Sequence, residues 1–108
     1  VVYCVSDDKD IVEQASLSKV ANQLMQLKGI SACFVIGRTG ANETRISARS
    51  DGSINVQLLC EKLGGGGHFG AAAASFRDAS VSVVEGKLLD TLDTYLNEAK
   101  SDLKGEKE

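Results

Sequence analysis

Proline and tryptophan are absent from the 108 residues, histidine and methionine occur once each, and aromatic side chains make up only 5%. With no proline, no linker composition and no internal repeat to divide the chain, its length fits one domain around one hydrophobic core. The three cysteines, Cys4, Cys33 and Cys60, are odd in number and form no CxxC pair. That spacing excludes a zinc site and a disulfide framework, and leaves buried free thiols as the expectation. A single histidine and no carboxylates clustered at ligand spacing leave no metal centre in this chain. No apolar run approaches the roughly 20 residues that span a bilayer, and no charged start followed by an apolar stretch marks a signal peptide. The chain therefore reads as cytosolic in character, and its abrupt opening on VVYCV without a methionine reads as a domain cut from something longer.

What is present is an ordinary globular composition, 43% hydrophobic and 25% charged. The net charge of -3 argues against a general nucleic-acid binder, because neutralising a long phosphate footprint needs a basic face. A single small anion is still allowed, since two or three local arginines hold one whatever the total charge.

Hydrophobic periodicity orders the elements. VVYCV (1–5) predicts a buried strand. Asp10 and Glu13 suggest a capping box before a helix with Leu17, Val20, Leu24 and Leu27 on one face, stopped at Gly29. ISACFVIGR (30–38) reads as a strand covered on both faces. After TGAN turns the chain, ETRISARS (43–50) alternates, with Thr44, Ile46 and Ala48 facing one way and Arg45, Ser47 and Arg49 the other. Asn55 is a good N-cap for a short helix carrying Val56, Leu59, Cys60 and Leu63, ended by Gly64. AAAASF (71–76) suits helix by propensity and strand by size, and strand is the reading taken. A stripe of Val84, Leu88, Leu92, Tyr95 and Ala99 predicts a long final helix, before a charged, frayed tail over 101–108. The order β-α-β-β-α-β-α predicts an α+β fold, a single domain over 1–100 with a mixed sheet of four to five strands covered by helices.

The stretch KLGGGGHFGAAAA (62–74) admits three readings. A flexible connector is one. A dinucleotide fingerprint is formally matched by Gly65, Gly67 and Gly70, but it needs a strand before the glycines, where a helix is predicted. The third is an anion nest, in which consecutive glycines aim N–H groups at one phosphate with His68 beside them. Ser47, Arg49 and Asn55 converge on that reading, arginine supplying the planar fork suited to phosphate, whereas Arg38 and Arg45 read equally well as solvated residues.

In order and spacing, FVIGR, ISARS, INVQ and EKLGGGGH closely resemble the DHHA1 domain at the C-terminal end of DHH-family phosphoesterases, over about Val2 to Ala99. Within that family the run looks most like the bacterial cyclic-di-AMP phosphodiesterases, although Gly70 and Ala71 depart from the polar residues often seen there. The resemblance implies a DHHA1-like fold and a phosphodiesterase whose two manganese ions sit in a partner DHH domain of the same polypeptide. It implies no catalytic or metal-binding residue in this chain. Its candidate substrate-binding residues are Arg49, Ser50, Asn55, Gly65, Gly66, Gly67 and His68. The implied substrate is a cyclic dinucleotide or a short nucleotide, the full-length protein being a signalling enzyme anchored in the cell membrane with this domain on the cytoplasmic side and out of direct membrane contact. The alternatives are the DHHA1 domain of an oligoribonuclease or adenosine-bisphosphate phosphatase, and a non-catalytic nucleotide-binding or interaction module. A related RNA-binding domain ends alanyl-tRNA synthetases, but the acidic balance weighs against that use. Homodimer formation through an exposed edge of the third strand completes the partner expectations.

Overall fold

A computed structural model describes residues 1–107, with side chains described to residue 98. The chain runs β1 (Val2–Val5), α1 (Gln14–Leu24), β2 (Ala32–Gly40), β3 (Glu43–Ser50), α2 (Val56–Lys62), β4 (Gly66–His68), β5 (Ala71–Arg77) and α3 (Val81–Lys107). The five strands form one mixed sheet in the order β1-β2-β3-β5-β4. β1 pairs parallel to β2 because α1 carries the chain back across the sheet, and the remaining pairs are antiparallel. The α+β expectation with four to five strands is met.

β2 is the central apolar run, buried continuously from 32 to 37. One face of the sheet carries Phe34, Ile36, Ile46 and Ala48 against Val56 and Leu59 of α2 and Val84 and Leu88 of α3, all fully buried. Burying each of the larger side chains contributes about 2 kcal/mol. The start of α3 is held twice: Val83 N–H donates to Ser80 Oγ at 3.2 Å, and Val81 N–H donates to Asp8 Oδ1 at 2.9 Å. Buried Thr44 donates its hydroxyl to Ala79 O at 2.7 Å, which ties β3 to the same junction. On the opposite face α1 is the helix that packs among the described residues, placing Leu17 and Ala21 on Cys33 and Val35.

Several expectations are corrected. β1 is an edge strand, so Tyr3, Cys4 and Val5 are exposed rather than buried. The Asp10–Glu13 capping box does not form; α1 starts at Gln14 after Glu13, whose side chain makes no capping bond. α1 ends at Leu24, and the next residues tighten into turns (Leu27 N–H to Leu24 O, 3.1 Å), which carries Leu27 off the helix and leaves it 57% exposed. Val20 is exposed as well, because the surface offered by β2 is filled by Leu17 and Ala21. The third strand is interior, between β2 and β5, and offers no edge. β4 was not expected, glycine being a poor strand former. Ala99 and the tail expected over 101–108 fall outside the residues with described side chains.

Cys33 donates its thiol to Ala21 O at 3.3 Å, and burial pushes the Cys60 thiol up to about 11. Titration of the native chain with a thiol reagent at about pH 8 should therefore show one fast group, Cys4, with Cys33 and Cys60 reacting only on unfolding. Two or more fast thiols in the native protein would contradict this packing.

Candidate functional site

The side chains on the helix-poor face are placed by strand register, since cross-strand partners project to the same side. Arg49 pairs with Ala71, which pairs with His68. Ser47 pairs with Ala73, which pairs with Gly66, and Arg45 pairs with Ser75. Three rows therefore cross the sheet, and the middle one, Ser47–Ala73–Gly66, has no large side chain. At about 3.4 Å per strand residue, the two outer rows lie about 13 Å apart. Between them is an open concavity of about 270 Å³, lined by Ser18 of α1, Arg45, Ser47, Arg49, Gly66, Gly67 and the alanines of β5. The alternating alanines explain the AAAA run: Ala72 and Ala74 are buried against the helices, while Ala71 and Ala73 floor the concavity.

Arg49 Nε donates to Asn22 Oδ1 of α1 at 2.9 Å, and its Nη1 donates to Ala48 O at 2.8 Å, which fixes the guanidinium above the first row. Arg45 Nη1 donates to Ser75 Oγ at 2.8 Å. Among the described residues the salt bridge present is Lys62–Glu98 at 3.6 Å, so neither arginine is neutralised by a carboxylate. His68 accepts the Gly70 N–H on Nδ1 at 3.2 Å; in the neutral ring this leaves Nε2–H free to donate outward. A larger hollow of about 400 Å³ lies at the far end of β3 and β5 around Asn42, Glu43 and Arg77. There Glu43 is the register partner of Arg77, so the hollow is lined by one charge of each sign.

The glycine tract differs from the nest expected for it. Gly64 takes φ +90° and closes α2, its N–H donating to Glu61 O at 3.0 Å, and the Gly65 N–H is already committed to Cys60 O at 2.7 Å. The next three residues are a strand paired to β5 rather than a concave loop. A Cβ on Gly65 would overlap the Ala73 carbonyl and lie 2.6 Å from Ala74 Cα; one on Gly67 (φ +147°) would lie 2.5 Å from Ala71 O and Ala72 Cα. Those two glycines are demanded by the close approach of β4 to β5. Gly66 is different: its φ is ordinary and a Cβ there would meet nothing within 4 Å. The fold does not need glycine at 66, and a side chain there would stand in the open row between the arginines.

The other candidates fall in different places. Asn55 caps α2, accepting the Leu58 N–H at 3.1 Å, and its own N–H donates to the Tyr95 hydroxyl at 3.2 Å. Ser50 Oγ accepts the Gly52 N–H at 3.0 Å, and the residue alternates to the opposite face from Arg49. Of the seven candidates, Arg49, Gly66 and Gly67 line the concavity and His68 stands beside it as the register partner of Ala71, while Gly65 serves strand packing, Asn55 a helix cap and Ser50 a local turn. Arg45, which reads equally well as a solvated residue, lines the concavity as well, and nothing in the sequence signals the contacts that hold the two arginines, Ser75 on Arg45 and Asn22 on Arg49. The signal for Arg45 was available, because strict alternation places residues 45, 47 and 49 on one face.

The family model for the DHHA1 domain matches residues 1–100. Cyclic-di-AMP phosphodiesterase GdpP of Geobacillus thermodenitrificans is 38% identical over 94 residues, 87% of this chain and 14% of that protein. Cyclic-di-AMP phosphodiesterase PdeA of Listeria monocytogenes is 40% identical over 78 residues, 72% of this chain and 12% of that protein. The chain thus spans only about an eighth of the length of these relatives. Among solved structures, an exopolyphosphatase-related protein from Bacteroides fragilis superposes with a TM-score of 0.60 at 18% identity, covering 95% of this chain and 30% of that one, a likeness of fold.

Urea unfolding separates the roles of the glycines and of Asn55. Gly65→Ala should lose about 3 kcal/mol through overlap with β5, while Gly66→Ala should stay within about 0.5 kcal/mol of the native protein. Asn55→Ala should lose about 1 kcal/mol through the missing cap. Equal losses at positions 65 and 66 would contradict the assignment of Gly66 to open space.

Proposed function

The chain belongs to the DHHA1 domain family, and from that premise we propose that it is the substrate-binding domain of a manganese-dependent phosphodiesterase that opens cyclic-di-AMP to a linear dinucleotide. The observation that carries the reading is the face on which Arg49 and His68 flank Ala71 in one cross-strand row, with an unfilled row beside it. Guanidinium forks and an imidazole N–H are donors matched to phosphate oxygens, and a flat floor of alanine and glycine lets the backbone of a nucleotide lie close. The names of the GdpP and PdeA relatives supply the substrate class.

The chemistry belongs elsewhere in the polypeptide. Among the described residues no group of three or more His, Cys, Asp or Glu side chains is placed to hold a metal ion, and no step of the proposed role runs through a metal on this chain. The proposed partner, the DHH domain of the same polypeptide, would hold the manganese ions and activate water, while this domain grips the phosphate and presents it. Among the described residues no helix is long and apolar enough to cross a membrane; membrane anchorage is proposed for the rest of the full-length protein. The concavity is open because it is half of a cleft, the other wall being the DHH domain.

In the full-length enzyme His68→Ala should lower kcat/KM for cyclic-di-AMP by about 30-fold, the worth of one charge-assisted contact to phosphate, with unchanged thermal unfolding. Assaying the same protein with a short linear dinucleotide and with adenosine bisphosphate under manganese separates the family's other activities from this one. Native activity in a stably folded His68→Ala protein would overturn the role given to the histidine.

A further inference from the structure

The two edges of the sheet are built differently. β4 closes one with three residues, two of them glycine, that turn directly into β5. β1 closes the other with VYCV, which carries none of the charges, prolines or bulges that keep an edge from pairing. Ser6 N–H donates to Ile36 O at 2.9 Å. Alternation then turns the backbone groups of Val2 and Cys4 toward β2 and those of Val1, Tyr3 and Val5 outward. The side chains of those same three residues are exposed on the α3 side of the sheet, Tyr3 being the register partner of Phe34. Glu85 stands beside the Tyr3 hydroxyl and pushes it above its ordinary range. Leu89, one turn further along the same line of α3, is exposed as well. An apolar strip with outward-facing backbone donors and acceptors thus runs along one rim of the domain, opposite the rim that carries His68.

We infer that this rim pairs with the same rim of a second copy of the chain, β1 lying antiparallel to β1 across a twofold axis at Tyr3, so that two five-stranded sheets join into one. The occupant is a second copy because the strand is self-complementary about that residue. Setting Tyr3 opposite Tyr3 places Val1 opposite Val5 and Val2 opposite Cys4, so every facing pair is uncharged and largely apolar. In that register the outward N–H and C=O of Tyr3 meet their own counterparts, and the Val5 N–H meets the Val1 carbonyl, twice by symmetry. A slip of one residue would set these outward groups against ones already bonded to β2, and a slip of two toward the end of the strand would set Val1 opposite Asp7. Covering Val1, Tyr3, Val5 and Leu89 together with the strand edge removes on the order of 500 Å² per copy, about 1,000 Å² in all, which is the lower limit for specific association and makes the dimer a weak one. The phosphate-binding face proposed above lies on the α1 side and takes no part in the contact, so this inference stands apart from that role.

Sedimentation equilibrium of the 108-residue chain tests the pairing. Between about 10 μM and about 1 mM the weight-average mass should rise from one chain toward two. Tyr3→Lys sets like charges opposite each other on the axis and should hold the mass at one chain, with unchanged thermal unfolding at the low concentration because the side chain is exposed. Single cysteines then read the register, both in a Cys4→Ser background so that the introduced thiol is the exposed one. Tyr3→Cys brings two thiols into a facing pair with Cα atoms about 5.5 Å apart, inside the range a disulfide spans. Val5→Cys is as exposed, but it faces Val1 of the second copy and lies far from its own counterpart. Under mild oxidation at about 0.5 mM, Tyr3→Cys should form a covalent dimer about tenfold faster than Val5→Cys, pairing having raised the local thiol concentration at position 3 alone. A mass of one chain over the whole concentration range, association that survives Tyr3→Lys undiminished, or equal cross-linking at positions 3 and 5 overturns the inference.

Discussion

The backbone of β4 lies against β5 so closely that Gly65 and Gly67 have no room for a Cβ, and the rest of the site follows from that approach. Without it there is no fifth strand, and His68 has no fixed position. With it, His68 becomes the register partner of Ala71 and joins the row that begins with Arg49 on β3. Sequence-distant donors are thus brought together by sheet pairing alone, which needs no long side chain to reach across. The small residues of β5 belong to the same arrangement: Ala72 and Ala74 are buried on the face where α2 packs on β5, while Ala71 and Ala73 keep the other face low.

Coverage of the sheet is unequal, and that inequality makes a binding face. α2 and α3 bury one side, including Phe34, Ile46, Leu59 and Leu88, and give the domain its main core. On the other side α1 reaches only far enough to pack on Cys33 and Val35 and to fix Arg49 through Asn22. Beyond it stand two guanidiniums with no carboxylate partner among the described residues, in a chain whose net charge is -3. A locally positive, shallow surface on an acidic domain suits one anionic ligand held against a second wall, and does not suit an extended nucleic acid, whose binding would need many phosphate contacts.

Much of the framework was legible in the sequence because its signals are local. Strict alternation in ETRISARS gave β3 and its two faces, the apolar run gave β2 as a strand covered on both sides, and Asn55 gave the start of α2. The failures lie where tertiary placement decides. VVYCV has the composition of a buried strand but sits at an edge, which propensity does not report. The glycine tract could not be read as a strand, because its pairing depends on the backbone of β5 rather than on its own residues. Asn55 and Ser50 belong to motif-like runs, yet their side chains are spent on a helix cap and a turn. Arg45 was passed over for the opposite reason, its place on the face being visible but its partner Ser75 thirty residues away.

The proposed role requires phosphate ligands to engage the α1 side of β3, β4 and β5. Mapping amide chemical-shift changes of the chain during titration with a linear adenine dinucleotide tests it most directly. Changes should concentrate at Arg45, Ser47, Arg49, Gly66 to His68 and the β5 residues between them. Changes centred instead on Lys62 and Lys87 between α2 and α3, or on Asn42 and Arg77 at the far end of the sheet, would contradict it.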